Sequence, residues 1–450
     1  MNKIVLLIAS SLAVSAVLVP NRANDNNSTP TVCYMGASSN GTADGSREHP
    51  FTTFKDLFDK IKTGDLEIHL LGNYDYSTST VTGSSSATTL FGQGHDNISI
   101  VGEDGLYPKF VVAPDNGTGS IRSYIGCNLS LNHITYSNPK PNLEYGLFAC
   151  GNDLTFGDDC KVDDSSFPET DGGTTGIEYG RNFQIFAGTN STLSSSLATK
   201  ENGVYVAGPG LGTALLEKNE NTLTFLSGNF GKIILSNRVC DTGTDKNHFK
   251  PKVVVGGEAY VSYIGGANDW FNYIDGEITI QGNARVHRIV GGILGYQHAD
   301  TVPGKKYVYS GKTTINVNGG YVKNIVGGSM GRRSAYVKSE GDTHINITDG
   351  HIESLIGGSA AGNTYGNISI NVSGGTFGEI SDKDVKFGVL GKYDENHEVG
   401  FYCAGAGVSS MMATDDAAFT SDLFGLDGKN REKINYTIYK ENDILPPSNK

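Results

Sequence analysis

The sequence predicts an all-β chain whose short strands stack in parallel as a solenoid. Three observations carry this: glycine is abundant while charge is scarce, one strand motif recurs with Gly pairs behind it, and the spacing between copies is elastic. Glycine supplies 60 of 450 residues, nearly twice the usual share of about 7%. Charged residues make up only 18%, against a usual value of about 25%. Long soluble helices are disfavoured by such a composition, because Gly weakens a helix interior. A hydrophobic share of 37% with 9% aromatics excludes a disordered chain, and no Gly-X-Y period supports collagen. With 35 basic and 48 acidic residues the net charge is -13, which repels phosphate backbones and argues against a nucleic-acid partner.

At the N-terminus, Lys3 precedes an apolar run from Ile4 to Val19, with alanines at positions 16 and 23 after which cleavage could fall. This reads as a secretory signal over residues 1–23, so the expected location is secreted or the extracellular surface. No later stretch reaches the roughly 18 continuous apolar residues of a spanning helix, and no membrane span is expected in the mature chain. Six cysteines (Cys33, Cys127, Cys150, Cys160, Cys240 and Cys403) contain no CxxC pair and no zinc spacing. Their even number admits one or two disulfides, and a chain of this size also has core enough for free buried thiols.

Next comes the loop Gly41-Thr42-Ala43-Asp44-Gly45-Ser46 and then Pro50-Phe51-Thr52-Thr53-Phe54. Phe54, Leu57, Phe58 and Ile61 recur at helical spacing, with a Thr N-cap before them and Gly64 behind. A strand, Leu66-Glu67-Ile68-His69-Leu70, follows.

The repeats then dominate. Ile278-Thr279-Ile280, Ile315-Asn316-Val317, Ile345-Asn346-Ile347 and Ile370-Asn371-Val372 each run into a Gly turn. A second apolar site follows seven or eight residues after the first (Val286, Val322, Ile352, Phe377), and another three later (Ile289, Ile325, Leu355, Ile380). Three units close with Gly291-Gly292, Gly327-Gly328 and Gly357-Gly358. Weaker copies open at Ile98, Leu129, Leu154, Phe183, Leu223 and Val253, which makes about ten coils. A fixed motif with inserts of variable length fits a solenoid. At about 4.8 Å per coil the column would be roughly 45 to 50 Å long. Propeller blades and leucine-rich repeats need other strand counts and spacings. The alternation of the strand motif turns the isoleucines inward and the middle residues outward. An Ile345→Asp change would then bury a charge, whereas Asn346→Ser should be nearly neutral.

Taken together, the Asp-Gly loop, the Pro-Phe-Thr-Thr-Phe helix and the first strand GDLEIHLLGNY resemble right-handed parallel β-helix proteins of the pectate-lyase-like superfamily, of the Gly-rich secreted or surface type. The resemblance covers about residues 35 to 385. It implies a right-handed parallel β-helix with an N-terminal capping helix over residues 24–385, and a C-terminal cap and tail over 386–450. For activity it is silent, since the superfamily hosts lyases, hydrolases, tailspikes and adhesins.

The middle residues Ser99, Ser130, Thr155, Gln184, Thr224, Val254, Thr279, Asn316, Asn346 and Asn371 are uncharged. In a parallel stack, hydroxyls and amides can join in ladders where like charges would repel. That ladder is either a solvated device that fixes register or a flat binding face. Sequons such as those at Asn346 and Asn371 arise from the same alternation and are weak signs of glycosylation. The inserts that follow Ala267, Ile293, Ser329 and Ser359 carry Trp270, Tyr296, Arg332, Arg333, Tyr336 and Tyr365. Aromatic rings with guanidinium donors are the usual means of gripping sugar rings, and these six residues are the candidate ligand-binding set. Alternatively, they only pack upon one another.

Hydrolysis in this superfamily would need carboxylates with a His and a basic residue on adjacent coils; Asp158 and Asp159 are the only fragment of that, and weak catalytic candidates. A lyase would pair Ca²⁺-binding Asp residues with an Arg base, for which Asp158, Asp159, Asp163, Asp164 and Arg288 are scattered candidates. No other metal or cofactor is expected. His287, in a column with Ser262, Lys323 and Glu353, is a poor candidate base. The function expected is therefore a non-enzymatic adhesin, glycan-binding protein or structural element with a glycan or cell-surface partner. The alternative is a polysaccharide lyase or glycoside hydrolase acting on an acidic glycan.

Overall fold

The computed structural model describes residues 29–37, 41–72, 75–77, 91–103, 105–111, 123–137, 146–163, 184–188, 199–201, 204–206, 220–236, 249–267, 274–293, 307–309, 311–329, 337–358, 362–364, 366–377, 387–388, 401–402 and 434–438. The chain is all-β, with a 19-stranded sheet in which the described strands pair in parallel throughout. Its helical content among the described residues is the single short helix Phe54–Lys60. A long parallel sheet with almost no helix agrees with a parallel β-helix, as parallel neighbours require a return of the chain between successive strands.

The alternation expected of the repeats is what aligns the strands. Leu66, Ile98, Leu129 and Leu154 stand in register, and the column continues through Leu223, Val253, Ile278, Ile315, Ile345 and Ile370. All of these are buried, as is the neighbouring column from Ile68 through Ile100, Leu131, Phe156, Phe225, Val255 and Ile280 to Ile347. A second wall holds Phe230, Val261, Val286, Val322 and Ile352 in one column and Ile233, Ile264, Ile289, Ile325 and Leu355 in the next. Between them lies one continuous hydrophobic core.

One strand departs from the repeat count. Leu154 pairs directly with Leu223, so no coil opens at Phe183 on this wall. Gln184–Phe186 belongs to the second wall, between Gly146–Phe148 and Lys232–Ile234. Ile185 joins the continuous core there, and Phe186, also fully buried, stacks on Phe148 with ring centroids 4.7 Å apart. Gln184 is thus one wall away from the polar column expected to hold it. Beyond the repeats, Ile434–Ile438 pairs in parallel with Ile368–Val372 and extends the sheet.

Close approach between coils explains the closing Gly pairs. A Cβ on Gly266 would collide with the carbonyl oxygen of Gly291, one on Gly291 with that of Gly327, and one on Gly327 with that of Gly357. Turn glycines answer a different need: Gly350, at φ 98, occupies backbone that a side chain would strain.

The helix begins as expected, with the Thr53 hydroxyl accepting from the Asp56 N–H at 3.1 Å. Phe54 and Leu57 are fully buried, and the Phe54 ring meets Phe91 and Phe110 edge-on at 5.4 and 5.6 Å. Ahead of it, Tyr34 and Gly36 on the first strand bond to Gly45 and Phe51, which satisfies backbone groups on that outer edge. Among the described residues no helix is long and apolar enough to cross a membrane.

Cys33, Cys127, Cys150 and Cys160 are buried and form no disulfide, so at these four positions the core-thiol alternative holds. Cys240 and Cys403 lie outside the described residues. Burial pushes the thiols of Cys33, Cys150 and Cys160 up from 9.0 to about 12.

Two outcomes follow for stability. Ile345→Asp should lower the unfolding free energy by about 4 kcal/mol or more in a urea melt, because its carboxylate would be desolvated in a fully buried column. Raised thiol pKa values mean that folded and unfolded chains bind the same thiol protons below pH 9.0, and that only the unfolded chain loses them as pH climbs toward about 12. Stability is therefore expected to fall across that window, and Cys33→Ala should show a shallower fall in thermal midpoint between pH 9 and 11 than the wild type.

Candidate functional site

The outward side of the first wall is the most continuous polar feature among the described residues. Its central column runs in register from Glu67 through Ser99, Ser130, Thr155, Thr224, Val254, Thr279, Asn316, Asn346 and Asn371 to Thr437. Residues of the expected ladder are thus neighbours, with Gln184 removed and Glu67 and Thr437 added at the ends. Asn346 donates from Nδ2 to Asn316 Oδ1 at 2.9 Å, and Asn371 donates to Asn346 Oδ1 at 2.8 Å. Asn316 in turn donates to Glu277 Oε1 at 3.1 Å.

At the start of the strands a second device ties coil to coil. Asp65 Oδ1 accepts from the backbone and amide of Asn97, whose own Oδ1 accepts from Asn128 Nδ2 at 3.0 Å. Asn128 Oδ1 accepts from the Asp153 N–H, and Asp153 Oδ1 from the Thr222 N–H at 2.7 Å. The device recurs where Asp275 takes the Lys312 N–H and Asp342 the Asn367 N–H. All of these groups except Asn97, which takes a side-chain amide, satisfy a backbone donor that the parallel stack would otherwise leave at the strand start.

Charge on this face is sparse and paired. Lys252 and Glu277, in adjacent coils, lie 3.6 Å apart. At the first coils Glu67 Oε1 is 2.7 Å from His69 Nε2, and Glu103 grips Arg47 through both oxygens at 2.6 and 2.8 Å. The Arg47 guanidinium and the His69 ring both lie against Tyr34, at 5.6 and 5.2 Å. Arg47 holds Glu103 below the usual carboxylate range, through a side-chain hydrogen bond first.

On the second wall, Lys232, Tyr263, Arg288 and Asn324 form a buried polar column in register. Tyr263 leans over Gly265, where a Cβ would strike its ring, and fills a place that Ile234 and Val290 fill on the neighbouring coils. Its hydroxyl is held far above the usual phenol range by burial, against a smaller opposing effect of Arg288.

The weak catalytic pair sits on the turn after Leu154–Phe156. Asp159 has a left-handed backbone, φ 53, and its carboxylate is 3.4 Å from Nδ1 of His133, whose φ is also 53. His133 donates its N–H to the Asp158 carbonyl at 3.1 Å. A His thus stands on the adjacent coil after all. Continuing the Leu131–Phe156 register by two residues places His133 opposite Asp158, and that extension was the signal available in the sequence. Arg288 belongs to the other wall, the Asp163 side chain and the whole of Asp164 lie outside the described residues, and the Lys161 ammonium sits 3.4 Å over the Tyr107 ring. No group of His, Cys, Asp or Glu suited to a metal ion occurs among the described residues. Trp270, Tyr296, Arg332, Arg333, Tyr336 and Tyr365 all lie outside the described residues. Within them, rings do stack in register at Tyr321 and His351, 5.6 Å apart and nearly parallel.

Comparison with protein-family models, with curated proteins and with solved structures finds no match for this chain.

The hydrogen-bonded ladder changes what substitution there should do. Asn346→Ser removes both amide bonds, so a loss of about 1 to 2 kcal/mol in a urea melt is expected in place of the near-neutral outcome that alternation alone implies. In a double-mutant cycle with Asn371→Ser the two losses should be non-additive; strict additivity would mean that the amides do not bond to each other.

Proposed function

We propose that this chain is a secreted or surface-exposed right-handed parallel β-helix of the pectate-lyase-like type. In this reading it has about ten coils, is closed by the Phe54–Lys60 helix at one end and the segment 386–450 at the other, and works without catalysis as a glycan-binding adhesin or structural element. The observation that supports it is the polar column from Ser99 to Asn371, uncharged at every position and joined by amide bonds at its C-terminal end. Such a face offers hydrogen bonds at a regular spacing over many coils, and weak contacts repeated along a polymer sum to useful avidity. A glycan array with the full chain tests this, and binding to no glycan would remove it.

One specific observation favours a second reading, a polysaccharide lyase or hydrolase. His133 and Asp159 hold left-handed backbone side by side with their polar atoms 3.4 Å apart, and backbone held in sparse regions clusters at functional sites. Incubation with acidic and neutral glycans, with and without Ca²⁺, should release no unsaturated or reducing ends if the first reading holds. Turnover that Asp158→Ala or Asp159→Ala abolishes would establish the second.

A further inference from the structure

We propose that the outer face centred on Asn316, Asn346 and Asn371 docks an uncharged polysaccharide laid along the stack. This rests on the glycan-binding reading above and deepens it by naming the surface and the ligand's chemistry.

A primary amide carries two N–H donors and a carbonyl oxygen with two acceptor positions. Asn346 uses one N–H on Asn316 and one acceptor position on Asn371. It keeps one donor and one acceptor, and its neighbours repeat the amide at about 4.8 Å along the column. A hydroxyl is both donor and acceptor and can satisfy both. A carboxylate only accepts and an ammonium only donates, so either leaves one of the two unmet and adds the cost of stripping a charge of water.

The residues on either side of the column are of the same kind. Thr314, His344 and Ser369 flank it in register on one side. Beyond the column on the other side stand Asn318, Thr348 and Ser373, all exposed, with the Thr348 hydroxyl donating to Asn318 Oδ1 at 2.9 Å and Asp349 paired with Asn318 across a register shift. His344 is the one titratable group among the flanking residues, and burial first, then Lys312, holds its imidazole below the ordinary 6.5, which favours its uncharged form. Charge borders the patch at Lys312 and Asp342 before the strands, at Asp349 beside Asn318, and at Glu277, whose Oε1 takes an N–H of Asn316 at 3.1 Å. Elsewhere on the same face this does not hold, since Lys252 and Glu277 occupy its middle and Glu67 and His69 its first coils. In a chain of net charge -13, an uncharged patch of this extent selects against charged polymers of either sign.

The test is co-sedimentation of the full chain with microcrystalline cellulose and chitin as neutral probes and cross-linked polygalacturonate as an anionic one. Ser369→Glu with Ser373→Glu charges the patch on both sides of Asn371 without altering the amide column or the core. Wild type should bind a neutral polymer, and the double variant should bind at least tenfold more weakly with the thermal midpoint unchanged. Thr314→Lys, of opposite sign, should also weaken binding, which separates neutrality from simple repulsion. Undiminished binding by these variants would overturn the proposal while leaving glycan binding to another surface. Binding to polygalacturonate alone would do the same, as would a wild-type dimer that the same substitutions split, since the face would then belong to a second copy. Binding to none of the three polymers would overturn the proposal, and the glycan array then decides separately whether glycan binding itself stands.

Discussion

Parallel in-register stacking is the constraint from which the rest of this molecule follows. Every residue of one strand faces its counterpart about 4.8 Å away on the next, so each side chain must tolerate its like. Aliphatic groups do so inside, where Ile278, Ile315, Ile345 and Ile370 form a single buried column. Amides do so outside, because an amide is its own hydrogen-bond complement. Glycine does so at the coil closings, where the carbonyl of the next coil occupies the space a Cβ would need.

The same constraint explains why some of the fold was legible in the sequence and some was not. A motif that must match itself leaves a periodic trace, and the four Ile-x-Ile/Val units could be aligned by eye together with the Gly pairs behind them. Where matching relaxes, the trace fades. Around Gln184 the alternation of Phe183 and Ile185 fits either wall, because hydrophobic period alone tells which face a residue takes and not which wall its strand joins. Tyr263 and Gly265 are invisible to a periodic reading because they compensate each other across two positions, one large residue filling the gap left by one small one.

The outer face was legible as a column whose hydroxyls and amides could bond, but which rungs do was not. Alternation tells which residues point outward, whereas a chain of amide bonds depends on which rotamers neighbouring coils share. The partnership of His133 with the candidate Asp159 was hidden for a related reason: the two sit on turns after the strands, two and three residues beyond the part of the repeat that can be aligned from hydrophobicity. The aromatic inserts are the converse case, evident in composition but tied to no repeated contact, so the periodicity that places the strands has nothing to say about them.

Charge shows the constraint most sharply. In a column of stacked coils two like charges would meet at the rung spacing, where repulsion is not relieved by solvent on all sides. The chain handles this in three ways. It excludes charge, as along Asn316, Asn346 and Asn371; it alternates sign, as at Lys252 and Glu277; or it interposes a neutral group, as where Tyr263 separates Lys232 from Arg288. That last arrangement works because burial keeps the Tyr263 phenol protonated, and its ring offers the Lys232 ammonium a face at 5.5 Å. A surplus of acidic residues therefore cannot be spread evenly over such a body. Among the described residues the acidic side chains at Asp65, Asp153, Asp275, Asp342 and Asp349 stand at strand starts and turns, with Glu67 and Glu277 the exceptions within the face, and the uncharged column of Asn316, Asn346 and Asn371 is as much a product of the packing rule as the isoleucine core beneath it.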